Sequence, residues 1–474
     1  MNEERLPLDE QMRRLSGCNA DLTAERHEID GKKIEIYYQQ AMVDKLLLRR
    51  AAECLVSSCA EGRQQLDGFQ TATGASSVPT DPTAAELSRL LFSGQTLFYL
   101  PWVPAAYAVG TANPPQRSPE DSSLDPAIRG ARDGFVEELE TNVALLRKRL
   151  PMDRLRVEYF AMGETGNRIA LVYVADRLRE ETLRLVRTKL EDLRHTTIEG
   201  GSARFEDLLF GRSYSIFPLA DTTGRSDFAT EKLLRGRFAL LMDGTPTATI
   251  GPITLTELAI SPEDAYYPYF VATAGRWTRY VGYWLSILLP GFYDGLLMYH
   301  QEQIPFRLLA TIGLARTGIP IPAVIEMLIV LFLLDLLREA GSRLPQAVGN
   351  TITVVGGIII GQAALQSGVL TPSMMVIASL SFVAGSTLVN PSLQGTVRIA
   401  RLFVLLMSSL AGMIGFMAGL LLFLVYQMRL DSFGELYAGS VADSRFKVNL
   451  GVFWRAPFRR TGLASRQGQG EDDV

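Results

Sequence analysis

Hydrophobic and polar positions change their spacing along the chain. Lys33 to Gln39 alternates with period two and predicts a strand. Val43 to Ala60 places Leu46, Leu47, Ala51 and Leu55 at helical spacing. Gly68 to Pro82 reads as a turn-rich loop, Thr83 to Leu91 as a helix and Thr96 to Pro101 as a strand. Together these form a small βαβ-like unit. Thr111 to Pro126, rich in Pro and Ser, reads as a linker. A second unit follows. Gly134 to Arg149 and Glu180 to Leu193 are amphipathic helices; Arg154–Phe160, Asn167–Val174, Arg237–Leu241 and Thr247–Gly251 are strands. Strands interleaved with helices predict an α/β region of two small subdomains.

Beyond residue 260 the period disappears into long apolar runs. Leu344 to Val397 holds 54 residues without Asp, Glu, Lys or Arg, and Leu402 to Met428 holds 27 more. A spanning helix needs about 20 apolar residues. Five apolar segments result: Val281–Met298, Ile319–Leu337, Ala347–Gln366, Val369–Val389 and Leu402–Tyr426. The predicted organisation is a disordered segment 1–30, α/β subdomains 31–110 and 129–260 joined by a linker 111–128, a multi-span helical membrane domain 261–430 and a polar tail 431–474. A wholly soluble protein is excluded.

Tyr266, Tyr267, Tyr269, Trp277, Tyr280, Tyr283 and Trp284 crowd the entry to the apolar region, with Arg276 and Arg279 alongside. Tyr and Trp favour membrane interfaces because one end is apolar and the other wet. Arg338, Arg343, Arg398 and Arg401 bracket the uncharged Ser367–Thr371 loop, which places the Arg-bearing loops and the N-terminal region inside. Five spans then send the C-terminus outside. The tail carries Arg429, Arg445, Lys447, Arg455, Arg459 and Arg460, which argues inside. One segment is therefore re-entrant or uncounted, and Pro305 to Pro320 is the suspect.

The formal net charge of −4 gives no footprint for nucleic acid. Met1 to Leu15 lacks an apolar run, so no signal peptide is expected. Cys18, Cys54 and Cys59 read as free thiols in a reducing compartment. No phosphate loop, nucleophile–base pair, metal cluster or cofactor motif is visible, so neither an enzyme nor a cofactor is predicted. Ionisable groups inside apolar segments are functional candidates by default. There are three: Asp294, Glu326 and Asp335. Asp294 is read at an interface. Asp335 and Arg338, at i,i+3, read as an ion pair. Glu326 reads as lining a polar cavity or pore, or as making an interhelical hydrogen bond. Gly291/Gly295, Gly357/Gly361 and Gly415/Gly419 each make GxxxG and predict close helix packing or a homo-oligomer. Asn350, Gln362, Gln366, Asn390 and Gln394 either line a water path or cross-link helices.

Leu337 to Gly361, LREAGSRLPQAVGNTITVVGGIIIG, resembles a signature of the bacterial spore germinant receptor A-subunit (GerA) family, through Arg338, Glu339, Gly341, Arg343 and Pro345. Arg129–Phe135, Thr141–Leu150, Phe238–Pro246, Ser261–Tyr267, Leu289–Tyr293 and Ser432-Phe433-Gly434 follow the family's order. The resemblance implies a cytoplasmic two-part α/β domain and a membrane bundle in the inner membrane of an endospore. It also implies a transporter-like B subunit and a lipoprotein C subunit as partners, and A subunits that oligomerise into an ion-conducting ring. The chain departs from the pattern at Ala131, at Thr222–Asp227 and at Leu331, where typical members carry Pro, TERPD and an acidic residue. These departures make the sensor-less stage V sporulation protein AF type the alternative, beside a non-conducting scaffold.

Overall fold

The structure, a computed structural model, describes residues 8–29, 32–61, 66–79, 82–102, 105–113, 133–163, 167–196, 201–210, 215–344 and 346–438. Most of the expected linker, most of the polar tail and Pro345 lie outside the described residues. The chain divides into two compact units. One comprises 1–213, 220–253 and 432–434; the other comprises 214–219, 254–431 and 435–474.

The first unit opens with α1 (Leu8–Cys18), β1 (Leu22–Ile29) and β2 (Lys32–Gln39). This corrects the expected disorder over 8–29, while residues 1–7 and 30 lie outside the described residues. Leu8, Met12 and Leu15 sit at i, i+4 and i+7 and are buried, so three apolar positions suffice to dock an otherwise polar helix. Strand β1 is an edge strand, which tolerates its charged sequence. Next come α2 (Lys45–Glu61), α3 (Leu66–Thr73), β3 (Ser76–Val78), α4 (Ala84–Phe92), β4 (Thr96–Leu100) and β5 (Ala105–Val109). The expected loop at 68–82 is thus largely α3 and β3. Phe69 of α3, fully buried against Phe98 and Tyr107, explains why the segment orders. Thr83 closes a capping box with Glu86 at the start of α4.

The same order then repeats: α5 (Leu139–Arg149), β6 (Leu155–Met162), β7 (Asn167–Val174), α6 (Glu180–Asp192), α7 (Gly201–Phe210), β8 (Asp221–Thr223), α8 (Ser226–Leu234), β9 (Phe238–Met242) and β10 (Ala248–Gly251). The two sheets run β1-β2-β4-β5-β3 and β6-β7-β9-β10-β8, one strand order used twice. All pairings are antiparallel, which corrects the βαβ reading of the first subdomain. Short connections between β1 and β2, and between β4 and β5, favour hairpins over crossovers. Glycines mark the repeat. Gly94 and Gly236, each with positive φ before the fourth strand of its sheet, leave no room for a Cβ. One would meet the Met42 carbonyl oxygen at 2.9 Å, the other that of Arg177 at 2.6 Å.

Each sheet is covered on both faces. Along β7, Ile169, Leu171 and Tyr173 face α6 and α7, whereas Ala170, Val172 and Val174 face α5 and α8. Phe433, at φ 47°, belongs to the first of these cores, stacked edge-on against Phe210 and Phe238 with the Lys189 ammonium over its ring. Arg147 joins the two halves of this unit and is fully buried. Its Nε and Nη2 donate to Asp21 at 2.7 and 2.8 Å, Nη2 also to Asn19 at 2.9 Å, and Nη1 to the Leu155 carbonyl at 2.8 Å. The Phe92 ring lies 4.0 Å below the guanidinium.

The second unit holds α9 (Leu255–Leu258), α10 (Tyr269–Tyr299), α11 (Phe306–Arg316), α12 (Ala323–Arg343), α13 (Gln346–Gln366), α14 (Pro372–Ser386) and α15 (Pro391–Met428). A two-residue hairpin, β11 (Asp431–Ser432) and β12 (Glu435–Leu436), closes the described chain. Helices α10 and α15 are each long and apolar enough to cross a membrane.

Two outcomes test this account. Asp21→Ala leaves the Arg147 guanidinium buried without its carboxylate and is expected to cost about 3–5 kcal/mol in urea unfolding of the purified chain; a loss below about 1 kcal/mol sinks the bridging role. Burial pushes the Glu206 carboxyl above the ordinary carboxylate range, Asp207 and Asp221 add to this, and bonds from Thr249 and Thr222 oppose it. The folded chain therefore holds this proton more tightly than the unfolded chain. Its contribution favours folding at low pH and becomes a penalty as pH rises through the folded value. Glu206→Gln should raise the melting temperature at neutral pH and leave it unchanged in acid; the opposite ordering rejects the assignment.

Candidate functional site

The second unit is organised by a break in α15. Ala411 and Gly412 leave helical geometry, Gly412 at φ 60° and ψ −136°. In a straight helix Val404 and Gly419 would stand about 22 Å apart. Here a Cβ on Gly419 would lie 3.6 Å from the Val404 Cα and 3.0 Å from the Met407 Cβ. The chain reverses, and residues before and after the break run side by side. Ile216 confirms this. Its carbonyl accepts from Thr396 Oγ1 at 2.6 Å and its N–H donates to the Tyr426 hydroxyl at 3.1 Å. A straight helix would hold those two residues about 45 Å apart. The expected single span Leu402–Tyr426 is therefore a helical hairpin, which brings the end of α15 back to the end where it began.

Glycines admit the close approaches. A Cβ on Gly291 would meet Val404 at 3.1 Å, and one on Gly295 would meet the Ser408 hydroxyl at 2.5 Å. Ser408 donates to the Gly291 carbonyl at 2.6 Å. Gly415 faces the Met407 carbonyl at 1.9 Å from a built Cβ. Gly291, Gly295, Gly415 and Gly419 thus all sit at close contacts within the chain. Gly357 and Gly361 differ: a Cβ on one would meet the Leu337 side chain of α12, and on the other the Met375 side chain of α14, each at an ordinary contact of 3.7 Å.

The three acidic candidates separate. Glu326 lies in the first turn of α12 rather than deep within it, because Pro320 and Pro322 delay the helix start to Ala323. It is fully buried and makes an interhelical bond: Thr371 donates to Glu326 Oε1 through its N–H and, at 2.5 Å, through Oγ1. Arg316 Nη2 lies 3.8 Å from Oε2. Asp294 is fully buried in α10 instead of lying at an interface, since Gly291 and Gly295 draw its turn against α15. Among the described residues neither of its oxygens has a hydrogen-bond donor. Asp335 pairs with Arg401 of α15 at 3.1 Å and not with Arg338. Arg338 turns away, bonding Ser386 and Gln394 with its guanidinium 4.2 Å over the Phe382 ring. Arg401, expected in a loop, is a buried helical residue.

The signature residues sort by role. Glu339 and Arg343 form an exposed i,i+4 pair at 2.6 Å, and the Gly341 carbonyl would lie 2.6 Å from a Cβ on Gly349. Asn390 caps α15, accepting from Leu393 N–H at 3.1 Å, and Gln394 donates to the Leu388 carbonyl at 2.6 Å. The Asn350 side chain lies outside the described residues. Gln362 and Gln366, one turn apart on α13, are exposed. At the entry to α10, Asp264 accepts from Arg276 at 3.1 Å and from Arg279 at 2.6 Å. Arg316, Thr371 and Gly412 were missed in the sequence. Only Gly412, within an apolar run, left no signal there at all.

A sequence profile described as Bacillus/Clostridium GerA spore germination protein matches residues 10–465. Spore germination protein XA of Bacillus anthracis is 43% identical over 377 residues, 79% of this chain and 76% of that protein. The uncharacterized membrane protein YfkQ of Bacillus subtilis is 30% identical over 85% of this chain and 80% of that one. Spore germination protein KA of Bacillus subtilis is 32% identical over 81% and 72%. The crystal structure of the N-terminal domain of the A subunit of the Bacillus megaterium spore germinant receptor GerK3 aligns at TM-score 0.39 and 20% identity, over 51% of this chain and 92% of that one.

The hairpin returns the end of α15 to Tyr283 in the first half of α10. With Cys18, Cys54 and Cys59 replaced by Ser, a cysteine at Leu436 and one at Glu302, beyond opposite ends of α10, are expected to react with an impermeant thiol reagent from opposite sides of sealed vesicles. Reaction of both from one side refutes the reversal at Gly412.

Proposed function

The chain belongs to the Bacillus/Clostridium GerA spore germination protein family, and we propose that it is a receptor A-type subunit whose copies assemble in the spore inner membrane and conduct ions. On this reading the second unit crosses the membrane as α10, α12, α13, α14 and the two arms of α15. That even number of crossings keeps the N-terminal unit and the basic tail on the cytoplasmic side and resolves the parity conflict in the sequence. Helix α11 is too short to cross, at 11 residues or about 16 Å. Partners are a transporter-like B subunit and a lipoprotein C subunit.

The observation that carries conduction is α13. Val355, Ile359, Gln362 and Gln366 follow one another along one face, and all four are exposed. Amides facing lipid are costly, so that face calls for water or for another copy of the chain. A ring of copies with α13 toward its axis meets that demand. The carboxylates of Glu326 and Asp335 are engaged within the chain and do not supply a charged lining. That engagement favours a second reading, a non-conducting scaffold for partner subunits, and fits equally a sensor-less sporulation paralogue that amplifies ion release.

The experiment is potassium flux from liposomes holding the full chain, with its mass measured in mild detergent. A discrete multimer is expected, and Gln362→Leu with Gln366→Leu should cut flux by about tenfold or more without changing the mass. A monomer, or a multimer without flux in either form, moves the assignment to the scaffold.

A further inference from the structure

Among the described residues, Asp294 is the one acidic candidate with no donor to either oxygen. Its side chain, on α10, is fully buried. An ionised carboxylate so placed costs several kcal/mol unless a positive charge meets it. The charged groups acting on it are Arg316 of α11 and Glu326 of α12. Around this group, at the start of α14, Thr371 bonds to Glu326 and Ser373 to Thr371, Ser408 of α15 bonds the Gly291 carbonyl one turn before Asp294, and Tyr293 is its neighbour on α10. Arg316 stands 3.8 Å from Glu326, so one guanidinium serves two carboxylates. With all three ionised the group sums to −1, and the missing unit is one positive charge.

We propose that Asp294 is a binding site for a single monovalent cation, a proton or an alkali ion, inside one copy of the chain. The occupant neutralises Asp294 while Glu326 stays bonded to Thr371 and paired with Arg316. Loss of the occupant leaves Asp294 and Glu326 competing for Arg316. That competition pulls on the contacts joining α10, α11, α12 and α14. The site needs no neighbouring copy, so it stands whether or not the assembly conducts.

The test is modification of the purified full chain by dicyclohexylcarbodiimide, read by mass spectrometry at Asp294. The reagent takes the proton of a neutral carboxyl onto its nitrogen, the carboxylate oxygen adds to its central carbon, and an acyl shift leaves a stable N-acylurea. Sodium or potassium chloride is titrated against choline chloride at constant ionic strength, and pH separately. An alkali occupant slows modification about tenfold at saturation. A proton occupant gives modification indifferent to alkali ions that falls about tenfold per pH unit once the carboxyl ionises. Either supports the site. Modification flat across both titrations, or absent throughout while Arg316→Gln restores it, overturns the site and assigns Arg316 as Asp294's permanent partner. Thermal melts add a second readout. The shift produced by the occupant should vanish in Asp294→Asn, and a shift retained in that variant also rejects the site.

Discussion

The reversal of the chain at Ala411–Gly412 is the constraint on which the second unit depends. Gly412 adopts φ 60°, and a Cβ there would stand 2.7 Å from that of Tyr299. No other residue type combines that backbone conformation with that contact at low cost. Once the chain turns, Gly415 and Gly419 must tolerate the first arm of α15, and α10 must tolerate both arms. Gly291 and Gly295 of α10 make their short contacts with the first arm and the break itself, at Val404, Ser408 and Gly412. Gln427 pairs with the Tyr283 hydroxyl at 2.9 Å, which anchors the returning arm in the first half of α10.

The first unit solves a different problem. Two sheets of identical strand order each carry a hydrophobic core on both faces. What joins them is polar. Arg147 meets Asp21 and Asn19 with every donor directed, in surroundings that exclude water. Such a pair contributes specificity of placement more than net stability. The two units also borrow from each other's sequence: 432–434 completes the first and 214–219 the second. Phe433 accordingly sits in a core some two hundred residues upstream in sequence.

Much of this was legible in the residues. Strands β2, β4, β6, β7, β9 and β10 and helices α5 and α6 follow their periodicities to within a few positions, since local alternation and helical spacing report burial directly. The uncharged runs announced the helices of the second unit, and the REAG…RLP signature named the family before any fold was known. The duplication of the first unit was not legible, because equivalent strands share position and burial without sharing residues. Helix α1 was hidden by its polar composition. Among candidate sites, sequence identified Asp294, Glu326 and Asp335 as residues that need an explanation and could not choose it. Spacing of i,i+3 put Arg338 beside Asp335, yet both the direction of the side chain and the buried Arg401 lay on another helix.

Sequence by itself determined the family, the division into an α/β region and an apolar helical region, and the identity of the costly charges. These depend on composition and on contacts within a few residues, which a linear pattern records. Tertiary structure alone decided that α15 is a hairpin, which carboxylates are answered within the chain, and that Asp294 has no donor among the described residues. A carboxylate's state depends on donors that reach it from other elements: Thr371 stands 45 residues from Glu326, and Arg401 66 from Asp335. No local pattern encodes such distances, and in a low-dielectric interior they set the energy of every buried charge.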